Sequence, residues 1–228
     1  MRMLKKLKVS KNLSFFLVAF FFYFATSSFS AYSETISFYA SSMTGKAGSN
    51  NTATVLSGNA YIKTSSIEIY ADKIELFGDD YKNIRAEGNI KGKNYETNME
   101  FSSEKMEYNR ETKVVSLSGN VSLTDVDNDV KVKSQLLNYN QQTDIAIIQM
   151  QITLTQKENT CTGSYAIYYK NEQILELSGN AQVMQKEDTF RAQHITFNME
   201  TQEITLDGNV QGKVVDSKES DSSEVKGD

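Results

Sequence analysis

The sequence predicts an all-β protein, an elongated antiparallel body of the open-barrel or jelly-roll kind built from six two-strand repeats of about thirty residues. Three observations carry this expectation. A Gly-Asn pair recurs at nearly constant spacing. The residues around each pair alternate between apolar and polar. Beyond the first thirty residues, no stretch sustains the apolar 3.6-residue period of a helix. Composition agrees: Pro and Trp are absent, while 12 Tyr and 12 Phe accompany many Val, Ile and Thr residues.

The first segment is set apart from the rest. Arg2, Lys5, Lys6, Lys8 and Lys11 precede an apolar run from Leu13 to Ala25, and Thr26 to Ser30 is mostly small and polar. Basic, apolar and small-residue regions in that order predict a secretory signal peptide over residues 1–30, with Ser28 and Ser30 suiting cleavage before Ala31. The apolar run falls short of the roughly 20 residues of a comfortable membrane span. Retention as an inner-membrane anchor is the alternative.

The repeats follow. Leu56-Ser57-Gly58-Asn59-Ala60, Ala86-Glu87-Gly88-Asn89-Ile90, Leu117-Ser118-Gly119-Asn120-Val121, Leu177-Ser178-Gly179-Asn180-Ala181 and Leu206-Asp207-Gly208-Asn209-Val210 share one pattern at intervals of 30, 31, 60 and 29. The double interval predicts a decayed copy, and Ile148-Gln149-Met150-Gln151-Ile152 stands there with its apolar residues in register. From Val115 to Leu123 the odd positions are apolar or Gly and the even ones polar, as a strand with one buried face requires.

A second strand lies between successive Gly-Asn pairs. It carries a small residue followed by apolar residues three and five positions on: Ala71/Ile74/Leu76, Ser103/Met106/Tyr108, Ser134/Leu137/Tyr139, Ser164/Ile167/Tyr169 and Ala192/Ile195/Phe197. Ala40 and Met43 begin a sixth copy, which Gly45 interrupts. The alternation slips by one residue inside each of these strands, at Gln135–Leu136 for example. A repeated slip predicts a bulge or bend, as does Gly inside an otherwise good strand. Turn-like stretches such as Tyr108-Asn109-Arg110-Glu111-Thr112 and Tyr139-Asn140-Gln141-Gln142-Thr143 end several copies. From residue 216 to 228 the chain is almost wholly polar and predicts a disordered tail.

Twelve strands with one apolar face each must bury those faces together, which predicts two facing antiparallel sheets. Each unit contacts mainly its neighbours, and the unpaired edges at the two ends invite strand addition, including head-to-tail self-association.

Charge and chemistry narrow the function. Loss of residues 1–30 removes five of the 24 basic residues and none of the 29 acids, leaving a net charge of −10. Nucleic acid is therefore not an expected partner. Cys161 is the single cysteine, so no intrachain disulfide forms. His194 falls on the polar phase of its strand. Asp125-Val126-Asp127-Asn128-Asp129 resembles the start of a calcium loop but lacks its Gly and closing Glu, and is expected to form a hairpin turn. No phosphate loop or nucleophile elbow is present, so neither a cofactor nor an enzymatic activity is expected.

The run Ser116-Leu117-Ser118-Gly119-Asn120-Val121-Ser122-Leu123, a short acidic turn, then Val132-Lys133-Ser134-Gln135-Leu136-Leu137-Asn138-Tyr139, resembles the repeat of the OstA/LptA-like family. The resemblance extends over residues 36–215, with departures at Met150-Gln151 and Gly45. It implies an elongated, slightly twisted antiparallel β-jelly roll. It also implies a periplasmic bridge that carries lipopolysaccharide or a similar glycolipid between inner-membrane and outer-membrane transport components. In this reading the acyl chains lie in an apolar groove. Its expected lining is Met99, Phe101, Met106 and Tyr108, then Leu117, Val121, Leu123, Leu137 and Tyr139, then Ile148, Ile152, Ile167 and Tyr169, and finally Leu177, Phe190 and Phe197. Met suits flexible cargo because its thioether chain adapts to irregular shapes. The rival readings are a structural or adhesive β-repeat protein with a filled core and a polysaccharide-active enzyme on the same scaffold.

Overall fold

The computed structural model describes residues 35–45 and 53–215. The expected signal segment 1–30 and polar tail 216–228 lie outside the described residues. The strands are β1 (Ser37–Tyr39), β2 (Ser42–Thr44), β3 (Thr54–Lys63), β4 (Ile67–Phe77), β5 (Asn83–Asn94), β6 (Met99–Asn109) and β7 (Val114–Asp125). They continue as β8 (Val130–Asn140), β9 (Ile145–Gln156), β10 (Asn159–Tyr169), β11 (Ile174–Gln185), β12 (Asp188–Asn198), β13 (Ile204–Asp207) and β14 (Gln211–Lys213). A single 3₁₀ turn, Asp79–Tyr81, is the one helical element among the described residues. All strand pairs are antiparallel and the sheet follows chain order, so each strand from β3 to β12 lies beside its sequence neighbours. At the ends, β1 and β2 act as one broken strand against β3, and β13 and β14 as one against β12.

Asparagine closes four of the hairpins. The side-chain oxygens of Asn94, Asn109, Asn140 and Asn198 each accept hydrogen bonds from the backbone N–H groups two and three residues on, at 2.8–3.4 Å. This local bonding turns the chain without help from Pro.

The Gly-Asn pairs set the shape of every strand. Each pair has two consecutive left-handed residues: Gly88 (φ 77°) and Asn89 (φ 47°), or Gly119 (φ 77°) and Asn120 (φ 47°). Glu87 faces Lys105 and Ile90 faces Ser103, so Gly88 and Asn89 oppose the single residue Glu104 on β6. Gly58-Asn59 oppose Asp72, Gly119-Asn120 oppose Gln135, and Gly179-Asn180 oppose Gln193 in the same way. This two-against-one arrangement is a β-bulge. It explains the phase slip: inward residues step by four across the Gly-Asn strand (Leu117 to Val121) and by three across its partner (Ser134 to Leu137).

Glycine is needed for more than its left-handed backbone. A Cβ on Gly119 would lie 2.5 Å from Glu104 Oε2, and one on Gly88 would lie 2.3 Å from Asp72 Oδ2. The following Asn holds the same carboxylate: Asn120 Nδ2 donates to Glu104 Oε1 at 2.6 Å, and Asn89 Nδ2 to Asp72 Oδ2 at 2.9 Å. Met150 (φ 63°) and Gln151 (φ 56°) adopt the same left-handed pair without glycine. There the bond is between amides, from Gln135 Nε2 to Gln151 Oε1 at 3.2 Å.

The sheet is one continuous ladder rather than two separate facing sheets. The register aligns Asp125 with Val130, Val130 with Gln156 and Gln156 with Asn159. Tyr168 lies at the far end of β10, about 30 Å from Asn159 along an extended strand. Yet Tyr168 Oη donates to Asp125 Oδ2 at 2.9 Å. Opposite strand ends can meet only if the sheet is doubled over, and the line of bulges is where every strand bends. Both halves then bury their apolar residues in one core.

Left-handed backbone costs a non-glycine residue about 1–2 kcal/mol. Met150→Gly removes that strain from an exposed side chain and is expected to raise stability by roughly 0.5–1 kcal/mol, after allowing for glycine's greater unfolded-state entropy. Gly119→Ala is expected to lower stability by about 1–3 kcal/mol. Urea denaturation midpoints measure both.

Candidate functional site: an apolar interior closed by a polar seam

The structure gathers most of the expected lining into the single core. Met99, Phe101, Met106, Tyr108, Leu117, Val121, Leu123, Leu137, Tyr139, Ile148, Ile152, Leu177 and Phe197 are all buried there. Three residues depart from the expectation. Ile167 and Tyr169 lie on the outer phase of β10, and their inward places are taken by Ala166 and Tyr168. The small residue that starts this copy's three-residue step is Gly163, and Ser164 is the single residue opposite Met150-Gln151. Counting from Ser164 puts every following residue on the wrong face. Phe190 keeps the inward phase but is only half-buried, because its outer neighbour across the ladder is Gly212 of the short β14.

The core side chains close on one another. Leu117, Leu137, Ile148 and Phe197 are wholly inaccessible. A cavity of about 520 Å³ lies between the β9–β10 and β11–β12 turns, lined by Lys157, Glu158, Lys186, Glu187, Asp188 and Gln202 among others. A surface trough of about 430 Å³ crosses β4 to β7 beside Tyr70, Lys91, Lys93 and Glu100. The cavity is lined mostly by polar and charged side chains, unlike the core, whereas the trough also exposes apolar surface of Tyr70 and Phe101.

Where opposite strand ends meet, the core is sealed by polar side chains. Asp125 continues the inward phase of Val121 and Leu123, so its carboxylate is carried to the edge of the core and is fully buried. Its Oδ1 accepts from Lys170 Nζ at 2.8 Å, and its Oδ2 from Tyr168 Oη at 2.9 Å and Asn128 Nδ2 at 2.8 Å. Lys170 continues the inward phase of Ala166 and Tyr168, and its side chain is 10% exposed. One repeat further on, Asn159 Nδ2 donates to Gln202 Oε1 at 2.6 Å. Gln156 Nε2 donates to the Met199 carbonyl at 3.3 Å, and Gln202 Nε2 donates to Gln156 Oε1 at 3.3 Å. Both clusters join residues about 43 apart, linking one hairpin turn to the turn three strands later.

Tyrosines span core and seam. Tyr108, Tyr139 and Tyr168 occupy equivalent inward positions, with rings in the core and hydroxyls at its edge. Tyr108 Oη donates to Gln141 Oε1 at 3.2 Å, and Tyr139 Oη to Asp144 Oδ1. Burial, and then the neighbouring carboxylates of Asp144 and Asp125, hold the Tyr139 and Tyr168 phenols well above the ordinary tyrosine range. Both remain hydrogen-bond donors at any physiological pH.

Sequence reasoning missed the seam residues Asp125, Asn128, Gln156, Asn159, Lys170 and Gln202. A signal was present: Asp125, Gln156 and Lys170 each extend an inward apolar phase by one further position. Among the described residues, no group of three or more His, Cys, Asp and Glu side chains is placed to hold a metal. Within the Asp125–Asp129 run, Asp125 ends β7 and residues 126–129 form the β7–β8 turn. There Asp127 accepts from Asn98 Nδ2 at 2.6 Å.

Comparison with known proteins adds two findings. The family model described as LptA/(LptD N-terminal domain) LPS transport protein matches residues 40–145 and 141–203. Among solved structures, the chain is similar to the crystal structure of LptH, the LptA homologous periplasmic component of the conserved lipopolysaccharide transport device from Pseudomonas aeruginosa. Identity is 11%, the match covers 80% of this chain and 96% of that chain, and the TM-score is 0.26. No curated protein matches the chain.

Removing one partner of a buried ion pair leaves an uncompensated charge. Lys170→Met is therefore expected to cost about 3–5 kcal/mol, and adding Asp125→Asn to recover much of that loss; thermal and urea unfolding test both. Burial pushes the Cys161 thiol up to about 12. The folded protein is expected to resist alkylation by iodoacetamide at pH 8 and to react fully once denatured.

Proposed function

Because the chain belongs to the family described as LptA/(LptD N-terminal domain) LPS transport protein, we propose that it is a non-enzymatic carrier of lipopolysaccharide or a closely similar glycolipid. It holds the acyl chains within its doubled sheet while they cross water. The observation that carries this reading is the unbroken apolar interior, which runs from Leu56 on β3 to Phe197 on β12. Each buried methylene of a lipid tail contributes about 0.8 kcal/mol, so a dozen contribute roughly 10 kcal/mol before the cost of ordering. In this reading residues 1–30 serve as the export signal and the carrier works in the periplasm.

The sheet ends serve assembly. Met43 on β2 and Val210 between β13 and β14 are more than half exposed, and the outer edges of the terminal strands are unpaired among the described residues. Strand addition there joins copies head to tail and connects the carrier to inner-membrane and outer-membrane components.

One observation favours a second reading. The core side chains already exclude solvent, as in a structural β-repeat protein whose interior is permanently filled. Photocrosslinking separates the two. A photoreactive residue at Leu117 or Leu137 is expected to capture a glycolipid in cells, and one at the outward Ile167 or Tyr169 is not. Absence of any lipid adduct from the inward positions, in a folded protein, would leave the filled-core reading standing. A phospholipid adduct would change the cargo.

A further inference from the structure

We propose that the polar seam is the entry gate of the interior and that Asp125 and Lys170 form its latch; this rests on the glycolipid-carrier reading above. The two margins of the folded sheet differ in how they are held. Along the line of bulges, every strand passes covalently from one half to the other. Along the seam, the described residues are joined across the halves through side chains, with no backbone-to-backbone hydrogen bond between the two rows of turns. If the halves separate, they separate at the seam and hinge at the bulges, where paired left-handed residues already interrupt the ladder.

The seam is also incompletely satisfied. Asn94 Nδ2 and Asn159 Oδ1, both on seam-side strand ends, are buried without a hydrogen-bond partner among the described residues. Water admitted on opening supplies the missing partners, which offsets part of the cost of separation. The latch itself has the same property. Asp125 and Lys170 give up hydration when the seam closes and regain it when the seam opens, so the pair fixes the closed register without making closure irreversible. An all-apolar seam would lack this exchange, and would expose oily surface to water whenever it opened.

The stagger sets where along the sheet the gate is weakest. Each seam contact joins a turn to the turn three strands later, so the β11–β12 turn has no later turn among the described residues to meet. The charged cavity beside Lys186, Glu187 and Asp188 lies there, bordered by the Lys186–Glu158 ion pair at 3.6 Å and by Asp188, which accepts from the Val215 N–H at 2.8 Å. By the same count the β4–β5 turn has no earlier turn among the described residues to meet, so opening starts at the ends of the sheet and proceeds toward the Asp125–Lys170 latch.

Cargo uptake tests the gate. Cysteines are placed at the exposed turn residues Asp129 and Glu172, on opposite sides of the latch, in the full chain. They are joined by a short, reductively cleavable bis-maleimide, and uptake of fluorescent lipopolysaccharide from micelles is followed. Circular dichroism confirms that the cross-linked chain is folded. Uptake is expected to slow at least tenfold when the seam is cross-linked and to recover on reduction. The double variant Asp125→Asn, Lys170→Met, without a cross-link, is expected to load at least threefold faster than the parent. Equal uptake with and without the cross-link overturns the gate while leaving the carrier reading intact, and an unchanged rate in the double variant overturns the latch. Failure of the uncross-linked parent to load overturns the carrier reading and the gate together.

Discussion

Everything in this fold depends on one backbone irregularity, the pair of left-handed residues that opposes a single residue on the next strand. An unbroken sheet of this many long strands would leave one apolar face open to water. The bulge lets each strand bend at the same height, so the sheet doubles over and both halves share a core. Glycine and asparagine have separate parts in it. Glycine supplies room where the preceding strand's side chain folds over the backbone, and asparagine holds that side chain at two of the sites, Asn89 on Asp72 and Asn120 on Glu104. Met150-Gln151 shows that the geometry outlives its preferred residues once the neighbouring bulges impose it.

A sheet bent at one margin must be finished at the other, and the chemistry there is different. Apolar residues fill the interior as far as the strand ends, and the last inward positions become Asp125, Gln156 and Lys170. These side chains can bond across the gap and still tolerate water. Tyr108, Tyr139 and Tyr168 bridge the two regimes, with the ring on the oily side and the hydroxyl on the wet side. One margin is thus continuous backbone and the other is closed by side chains, and the proposed gate of the carrier rests on that contrast.

Much of this was legible in the sequence. The Gly-Asn spacing marked the bends, and the phase slip near Gln135 recorded the unequal residue counts on the two sides of each bulge. The burial of thirteen of the expected lining residues followed from alternation alone, because a strand with one buried face has only two phases. The β10 copy failed for a related reason. Gly163 and Ser164 are both small, so composition could not decide which one precedes the slip, and an error of one residue exchanged Ile167 and Tyr169 for Ala166 and Tyr168. The seam was not legible as a unit, since its partners are about 43 residues apart and meet only after the sheet has folded. That two facing sheets are one doubled ladder likewise became visible only in the strand pairing.

Acyl chains, in the proposed mechanism, enter the core by parting the seam. A pulsed electron–electron resonance measurement addresses it directly, with spin labels on the exposed turn residues Asp129 and Glu172 in the full chain. The account predicts a short, narrow distance distribution in the cargo-free protein and a longer, broader one on saturation with lipopolysaccharide. An unchanged distribution at saturation would contradict it.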